Sequence, residues 1–355
     1  MKKILFNSSM DGNIKALVDY YNNNELKGYK VTFKDHSKCG KKLTHYFHRL
    51  WEYVHTYDLI VSEFSTRLYK RAKKGMYISH GYGTKASPGL EDLANPNTMK
   101  IYKLLRENVD FVITLGKRDE EYFWKCDYLD QFKEPKYVPL GLPRIDQLLD
   151  VKYREMQEKE IKEKYVARGK KVLLYCPTWR HYDTQKLFPM NKEDFSKLNQ
   201  ELEDIGWVMF YRPHYISSIF PLDYIKGLSN IFLVDFQKEP STQKILMATD
   251  ALITDYSSIY VDYLVLNKPI MFMPFDLELY IKERGLVISF DNLIETPGPK
   301  VSTIKDIVNY LKDIDDGKDK YKSTREAAQR LYYDHLDGDS CKKVWDFIDE
   351  ILKEG

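Results

Sequence analysis

Short apolar runs alternate with amphipathic segments along the chain, and turn residues bound each apolar run. Runs of this kind predict buried β-strands, whereas apolar residues at helical spacing predict amphipathic helices. The predicted strands are 3–7, 29–33, 59–62, 75–79, 111–114, 136–139, 171–176, 207–211, 231–234, 251–254 and 269–273. The predicted helices are 14–23, 43–57, 98–108, 120–128, 151–168, 242–249, 259–266 and 341–352, with another inside 194–206.

Strands that alternate with helices predict mainly parallel sheets with helices on both faces, which is an α/β fold. The pattern is interrupted at 151–170, a charged helical segment without a long apolar face, and then restarts. A chain of 355 residues also exceeds the size of one typical hydrophobic core. We therefore expect a Rossmann-like domain over 1–150, a helical connector over 151–170, and a second Rossmann-like domain with the final helices over 171–355. Two such doubly wound domains are expected to face a cleft, because ligands bind beyond the carboxyl ends of their strands.

Composition excludes several function classes. The net charge is only +2, so nucleic acid is not an expected partner. The cysteines are far apart and lack metal or redox spacing, which fits a reduced cytosolic compartment. Neither a signal peptide nor an apolar stretch of roughly 20 residues is visible. Glycine-rich phosphate loops and metal-ligand spacings are also missing from the sequence, so we expect no cofactor and no metal.

The run 250–258 is the most informative stretch for chemistry, because a short apolar strand ends in a serine-rich turn that opens a helix. The first N–H groups of a helix have no intrahelical partner, and the helix dipole favours negative charge there. Ser257 and Ser258 are therefore candidates to bind a phosphate. The alternative is an ordinary helix cap formed by Asp and Ser side chains.

Two further strands end in cationic turns. Thr178 and Arg180 follow the strand 171–176, and Arg212 and His214 follow the strand 207–211. With the serine pair they would form a group of donors suited to a diphosphate, because arginine pairs bidentately with phosphate. Asp255 would repel a phosphate, so we expect it to support the site by orienting the turn or His214, or to cap the helix.

His80 follows the predicted strand 75–79 and precedes Gly81 and Gly83. An imidazole titrates at about pH 6.5 and can accept a proton at physiological pH, so His80 is a candidate general base. The alternative is a histidine that merely caps a strand end. Thr84 and Lys85 add a hydroxyl and a cation to the same loop.

The segment 38–51 mixes Lys and His with Phe, Tyr and Trp, and a second basic group lies at 69–74. A basic, aromatic, amphipathic surface is typical of proteins that bind an anionic membrane surface. The alternative is a solvated face above a buried apolar stripe.

The ordered motifs resemble the CDP-glycerol glycerophosphotransferase family of teichoic acid synthesis. The resemblance covers most of the second domain and is thinner over the first, where the histidine of the family's His-Gly loop carries over but Thr84 and Lys85 do not align without a shift. The motifs are Tyr175-Cys-Pro-Thr-Trp-Arg180, Arg212-Pro-His214, 250–258, 268–276, Arg284-Gly285, Pro297-Gly-Pro299, Gly141-Leu-Pro-Arg144 and His80-Gly81.

This resemblance implies a glycosyltransferase-B-like (GT-B-like) fold and transfer of an alditol phosphate, chiefly glycerol phosphate, from CDP-glycerol or CDP-ribitol with release of CMP. It implies a lipid-linked saccharide or polymer acceptor, a cytoplasmic enzyme peripheral to the inner membrane face, and a first domain on the acceptor side. His80 would be the general base. The second domain would bind the CDP-alditol and stabilise charge on CMP, with the catalytic His214 beside Thr178, Arg180, Arg212, Ser257 and Ser258.

Two other functions remain open on the sequence. A GT-B sugar-nucleotide glycosyltransferase or epimerase could use the same scaffold, because a fold does not determine chemistry. A non-catalytic nucleotide- or membrane-binding protein belongs to a different class. The modest length favours an enzyme that adds one or a few units over a large polymerase.

Overall fold

The computed structural model describes most of both predicted domains. His80, the segment 38–51 and the helices predicted at 43–57 and 120–128 lie outside its described residues, apart from Thr56, Tyr57 and Glu120 at the helix ends. The described ranges are 1–8, 12–35, 56–63, 67–79, 81–86, 89–120, 134–165, 167–180, 190–214 and 222–353.

The first sheet has six parallel strands in the order β2-β1-β3-β4-β5-β6. Its strands are β1 (Lys2–Ser8), β2 (Tyr29–Asp35), β3 (Tyr57–Ser62), β4 (Ala72–Ile78), β5 (Phe111–Ile113) and β6 (Lys136–Val138). The helices around it are α1 (Asn13–Asn23), α2 (Leu90–Leu93), α3 (Pro96–Asn108), α4 (Lys117–Asp119) and α5 (Pro143–Leu149), with a 3-10 turn at Arg67–Arg71.

The second sheet has five parallel strands in the order β11-β10-β7-β8-β9. Its strands are β7 (Lys171–Cys176), β8 (Trp207–Tyr211), β9 (Ile231–Leu233), β10 (Ala251–Thr254) and β11 (Ile270–Phe272). Its helices are α6 (Val151–Lys164), α7 (Lys192–Asp204), α8 (Thr242–Met247), α9 (Ile259–Leu264), α10 (Leu277–Glu283), α11 (Ile304–Asp315) and α12 (Lys322–Tyr332), with a 3-10 turn at Leu222–Tyr224.

Two parallel α/β sheets confirm the predicted fold class, and every predicted strand is present. The central strands β7, β8 and β10 have the predicted bounds. They are buried almost throughout, since helices cover both faces of a parallel sheet and its strands become continuous apolar runs. This continuous burial is the physical reason that these strands can be predicted from the sequence.

The last helix, α13 (Ser340–Lys353), belongs to the first unit, so the expected boundary 171–355 is wrong at its end. The contacts divide the chain into Met1–Leu149 with Tyr332–Gly355, and Asp150–Leu331. Trp345 of α13 is buried, donates from Nε1 to the Leu17 carbonyl at 3.0 Å, and packs its ring 5.4 Å from that of Phe6. The sequence pattern shows that α13 has an apolar face but not which sheet that face covers.

Helix α6 is also more than the expected connector, because it is part of the second unit. Ile161 is fully buried, and Lys162 pairs with Asp250 at 3.1 Å. A few well-placed apolar residues are enough to dock a helix whose other positions are charged.

The described part of the basic group 69–74 takes part in the fold of the first unit. Tyr69 is buried and donates to the Met76 carbonyl at 3.0 Å, while Lys73 pairs with Asp58 at 2.9 Å. Among the described residues, we find no helix with the length and apolarity to cross a bilayer.

Candidate active site

Three neighbouring strands of the second sheet carry the predicted polar turns. Strand β7 lies between β10 and β8, with Cys176 paired to Thr254 and Tyr175 paired to Tyr211. Because these strands are parallel, their carboxyl ends reach the same edge of the sheet. Thr178, Arg212 and the turn 255–258 therefore lie at adjacent strand ends, which we call the second-sheet edge.

Thr178 presents a buried hydroxyl that lacks a hydrogen-bond partner in the described part of the chain. Its side chain is 4% exposed, and its Oγ1 has no hydrogen-bond partner among the described residues. The neighbouring Thr254 hydroxyl, by contrast, donates to the Cys176 carbonyl at 2.8 Å. An unsatisfied buried hydroxyl costs free energy, so a ligand oxygen that bonds it would be favoured.

Arg212 is a buried cation bonded to neutral acceptors. It is 6% exposed and donates to the Glu239 carbonyl at 2.8 Å and to Thr242 Oγ1 at 3.3 Å. The Glu239 carboxylate is instead paired with Lys164 at 3.0 Å. Burial lowers the pKa of Arg212, and the neighbouring Cys176 and Glu239 side chains partly oppose this shift. A buried positive charge without an ion pair among the described residues favours an incoming anion.

His214 and the serine pair complete this edge. His214 is half-buried, two residues beyond Arg212. Ser257 lies one residue before the N-cap of α9, and its Oγ accepts a hydrogen bond from the Ile259 N–H at 3.4 Å. Ser258 is half-buried, and its side chain makes no capping hydrogen bond at the start of α9.

Arg180 differs from the predicted phosphate ligand, because carboxylates already occupy its guanidinium. Nε and Nη2 donate to Asp276 at 2.9 Å and 2.7 Å, and Nη1 donates to Asp255 at 2.5 Å. The side chain is 1% exposed. Burial opposes the charged form, but Asp255 and Asp276 outweigh it and raise the pKa of Arg180. Arg180 therefore makes its bidentate interaction with the Asp276 carboxylate, where the sequence predicted a phosphate.

Asp255 supports the turns at this edge. It accepts from the Thr178 N–H at 2.8 Å and from its neighbour Tyr256 N–H at 2.6 Å, in addition to Arg180. The Tyr256 hydroxyl donates to Asp276 at 2.8 Å, and its ring stacks on Tyr280 at 4.0 Å. Sequence reasoning missed Asp276, although its position after β11 was a usable signal.

The first sheet has its own polar edge around the residue that precedes His80. Ser79 is buried, and its carbonyl accepts from Asn13 Nδ2 at 2.7 Å and from Arg144 Nη1 at 3.3 Å. Thr84 is buried and Lys85 half-buried. The general-base role of His80 stays a prediction, since His80 lies outside the described residues.

Two buried acids support this first-sheet edge. Glu63 accepts from the Asn13 N–H at 2.7 Å and from Ser8 Oγ at 2.5 Å, and burial raises its pKa. Asp119 accepts from the Leu115 N–H at 3.1 Å and from the Gly83 N–H, and burial raises its pKa to about 6. Both acids stand just beyond strands of the first sheet, and sequence reasoning missed them because such positions resemble ordinary turns.

We predict that Arg180→Met lowers the free energy of unfolding by about 3–5 kcal/mol, because it leaves two carboxylates without their shared cation. Chemical denaturation measures this loss. Arg168→Met is the matched control, since Arg168 is exposed and pairs with exposed Glu163, and it should cost less than about 1 kcal/mol. A loss for Arg180→Met no larger than for the control would contradict the structural role of Arg180.

Comparison with known proteins agrees with the motifs in the sequence. The chain is 29% identical over 306 residues to the teichoic acid glycerol-phosphate primase of Bacillus subtilis (strain 168), covering 83% of this chain and 72% of the primase. It is 28% identical to the teichoic acid poly(ribitol-phosphate) polymerase of Bacillus spizizenii (strain ATCC 23059 / NRRL B-14472 / W23), covering 59% of this chain but only 33% of the polymerase.

Solved structures share the fold at low sequence identity. The wall teichoic acid polymerase TagF superposes with a TM-score of 0.76 at 22% identity, covering 99% of this chain and 90% of that chain. An S. aureus MnaA–UDP co-structure superposes with a TM-score of 0.63 at 15% identity, covering 99% and 97%. The model of the CDP-Glycerol:Poly(glycerophosphate) glycerophosphotransferase family matches residues 1–350, and the chain belongs to this family.

Proposed function

We propose that this enzyme transfers glycerol phosphate from CDP-glycerol to a hydroxyl of a lipid-linked saccharide or polymer and releases CMP, in teichoic acid or related cell-surface polymer synthesis. Family membership supports this reaction class. The observation that carries the proposal is the second-sheet edge. There the buried Thr178 hydroxyl has no partner among the residues that the structure describes, and Arg212 is a buried charge bonded to neutral groups. Both features suit the anionic diphosphate of a nucleotide donor.

The reaction needs a base and stabilisation of charge. The acceptor oxygen attacks the phosphorus that bears the glycerol, the bond from that phosphorus to the CMP oxygen breaks, and the acceptor proton passes to a base. His80 is proposed as that base. His214 and Arg212 are proposed to stabilise the charge that develops on CMP, with Thr178, Ser257 and Ser258 positioning the phosphates. Such phosphoryl transfer depends on positioning and electrostatics more than on covalent catalysis.

Arg180 and Asp255 take a different part in this proposal. Their ion pair fixes the turn that carries Thr178, because the Asp255 carboxylate accepts from the Thr178 N–H. We therefore propose that Arg180 positions the donor site from behind and does not bind the diphosphate directly.

We predict that Thr178→Val weakens CDP-glycerol binding by about tenfold or more, since a hydrogen bond to a charged group is worth about 1.5–3 kcal/mol. Isothermal titration calorimetry measures the Kd. The Thr178 hydroxyl makes no hydrogen bond to the described residues, so the free energy of unfolding should change little. Thr254→Val is the matched control, with an unchanged Kd but about 1 kcal/mol less stability, because its hydroxyl is bonded. Wild-type affinity in Thr178→Val would contradict the proposed donor site.

We predict that His80→Ala lowers kcat by about 100-fold or more and leaves CDP-glycerol affinity unchanged, because general bases contribute about 10²–10⁴-fold. Turnover is measured as CMP release from CDP-glycerol and CDP-ribitol, with UDP-sugars as the comparison. A loss below about tenfold would exclude His80 as the base. Release of UDP alone would favour the sugar-nucleotide glycosyltransferase or epimerase function instead.

We also propose that the enzyme is peripheral to the inner face of the plasma membrane through the segment 38–51. Replacing its basic and aromatic residues should lower cosedimentation with anionic vesicles by at least about tenfold, since each cation near the surface contributes about 1 kcal/mol. The residues to replace are Lys41, Lys42, Arg49 and Trp51. The matched control replaces three exposed lysines of the second unit, namely Lys305, Lys318 and Lys320. Equal sedimentation of the two variants would reject this surface.

A further inference from the structure

Two side chains from different helices converge on the carbonyl immediately before His80. Asn13, the first residue of α1, donates from Nδ2 to the Ser79 carbonyl at 2.7 Å. Arg144, in the first turn of α5, donates from Nη1 to the same oxygen at 3.3 Å. Both side chains are buried, at 0% and 4% exposure. The end of β4 is therefore tied to two helices through one peptide group.

The side-chain amide and the backbone N–H of Asn13 all have hydrogen-bond partners. Its Oδ1 accepts from the Arg144 N–H at 3.1 Å, and its own N–H donates to Glu63 at 2.7 Å. These bonds use the amide in one orientation only, with nitrogen towards Ser79 and oxygen towards Arg144. Gly12 keeps the approach open, because a Cβ at that position would lie 2.9 Å from Glu63 Oε1.

The chain is fixed on the far side of His80 as well. Ser79 Oγ donates to the Gly81 carbonyl at 2.6 Å, which holds the backbone across the intervening residue. Asp119 accepts from the Gly83 N–H. The peptide groups that flank His80 therefore have defined partners, which is unusual for a glycine-rich loop at a strand end.

We propose that Asn13 and Arg144 are positioning residues that hold the Ser79 peptide so that the following His80 meets the acceptor hydroxyl. This inference rests on the proposed function, in which His80 is the general base. A base must lie within hydrogen-bond distance of the proton that it removes. A displacement of about 1 Å at such a centre can lower the rate about 100-fold.

The test is a double-mutant cycle with His80. Asn13→Ala should lower kcat about 10–100-fold, with unchanged CDP-glycerol Kd, because the donor site lies in the other unit. In the His80→Ala background the same change should cost less than about twofold, since no base remains to be positioned. Arg144→Lys keeps the charge but not the reach of the guanidinium, and it should show the same coupling with a smaller loss.

Tyr69→Phe is the matched control, because it removes a buried hydroxyl that donates to the carbonyl of Met76 within β4. It should keep kcat within about twofold of wild type. If Asn13→Ala does not fold, the double-mutant cycle of Arg144→Lys with His80→Ala tests the inference by itself.

Equal losses in the wild-type and His80→Ala backgrounds, or a wild-type kcat in both positioning variants, would overturn this inference and leave the proposed function intact. Undiminished turnover in His80→Ala would overturn the base assignment together with the inference.

Discussion

The ion pairs of Arg180 hold together the edge of the second sheet on which the proposed donor site depends. One guanidinium joins Asp255 after β10 to Asp276 at the start of α10, and it also donates to the Thr178 carbonyl after β7 at 2.6 Å. A buried ion pair gains little net stability, because desolvation offsets its Coulombic attraction. Its contribution is geometric, since removing one partner leaves charge buried and the turns around it without support.

The same arrangement places two similar arginines in opposite electrostatic environments. Arg180 and Arg212 both follow strand ends and are both nearly inaccessible to solvent. Arg180 faces two carboxylates, so its charge is already balanced. Arg212 donates to carbonyl and hydroxyl oxygens, which satisfy its hydrogen bonds but leave its positive charge without an ion pair among the described residues. Only the second environment favours an added phosphate.

Much of the fold could be predicted from the sequence, because the buried strands of a parallel sheet are continuous apolar runs. The strands β7, β8 and β10 were predicted at their observed bounds. The sheet against which α13 packs could not be predicted. The sequence of an amphipathic helix shows which face is apolar but not which surface covers that face. The different charge environments of Arg180 and Arg212 could not be predicted either. The difference depends on Asp276, which is distant from Arg180 in sequence and reaches it only after folding.

The buried residues of the first-sheet edge were hidden for a related reason. Asn13 and Glu63 follow strands β1 and β3, where polar residues usually mark solvated turns. The unused signal was repetition, because a polar residue lies at or directly after the end of each of four neighbouring strands, namely Ser8, Glu63, Ser79 and Thr114. Polar side chains at several adjacent strand ends indicate a shared network more strongly than any one of them does.

The two sheets use the same structural position in opposite ways. At the first-sheet edge, Asn13 donates to the Ser79 carbonyl and Asp119 accepts from the Gly83 N–H, while Glu63 accepts from the Asn13 N–H. These polar side chains therefore hold peptide groups in place. At the second-sheet edge, the Thr178 hydroxyl has no internal partner and the Arg212 charge has no ion pair among the described residues. Transfer of a phosphoryl group needs a base in a fixed position and a diphosphate bound by charge. Hydrogen bonds completed within the protein meet the first requirement, and donors left for a ligand meet the second.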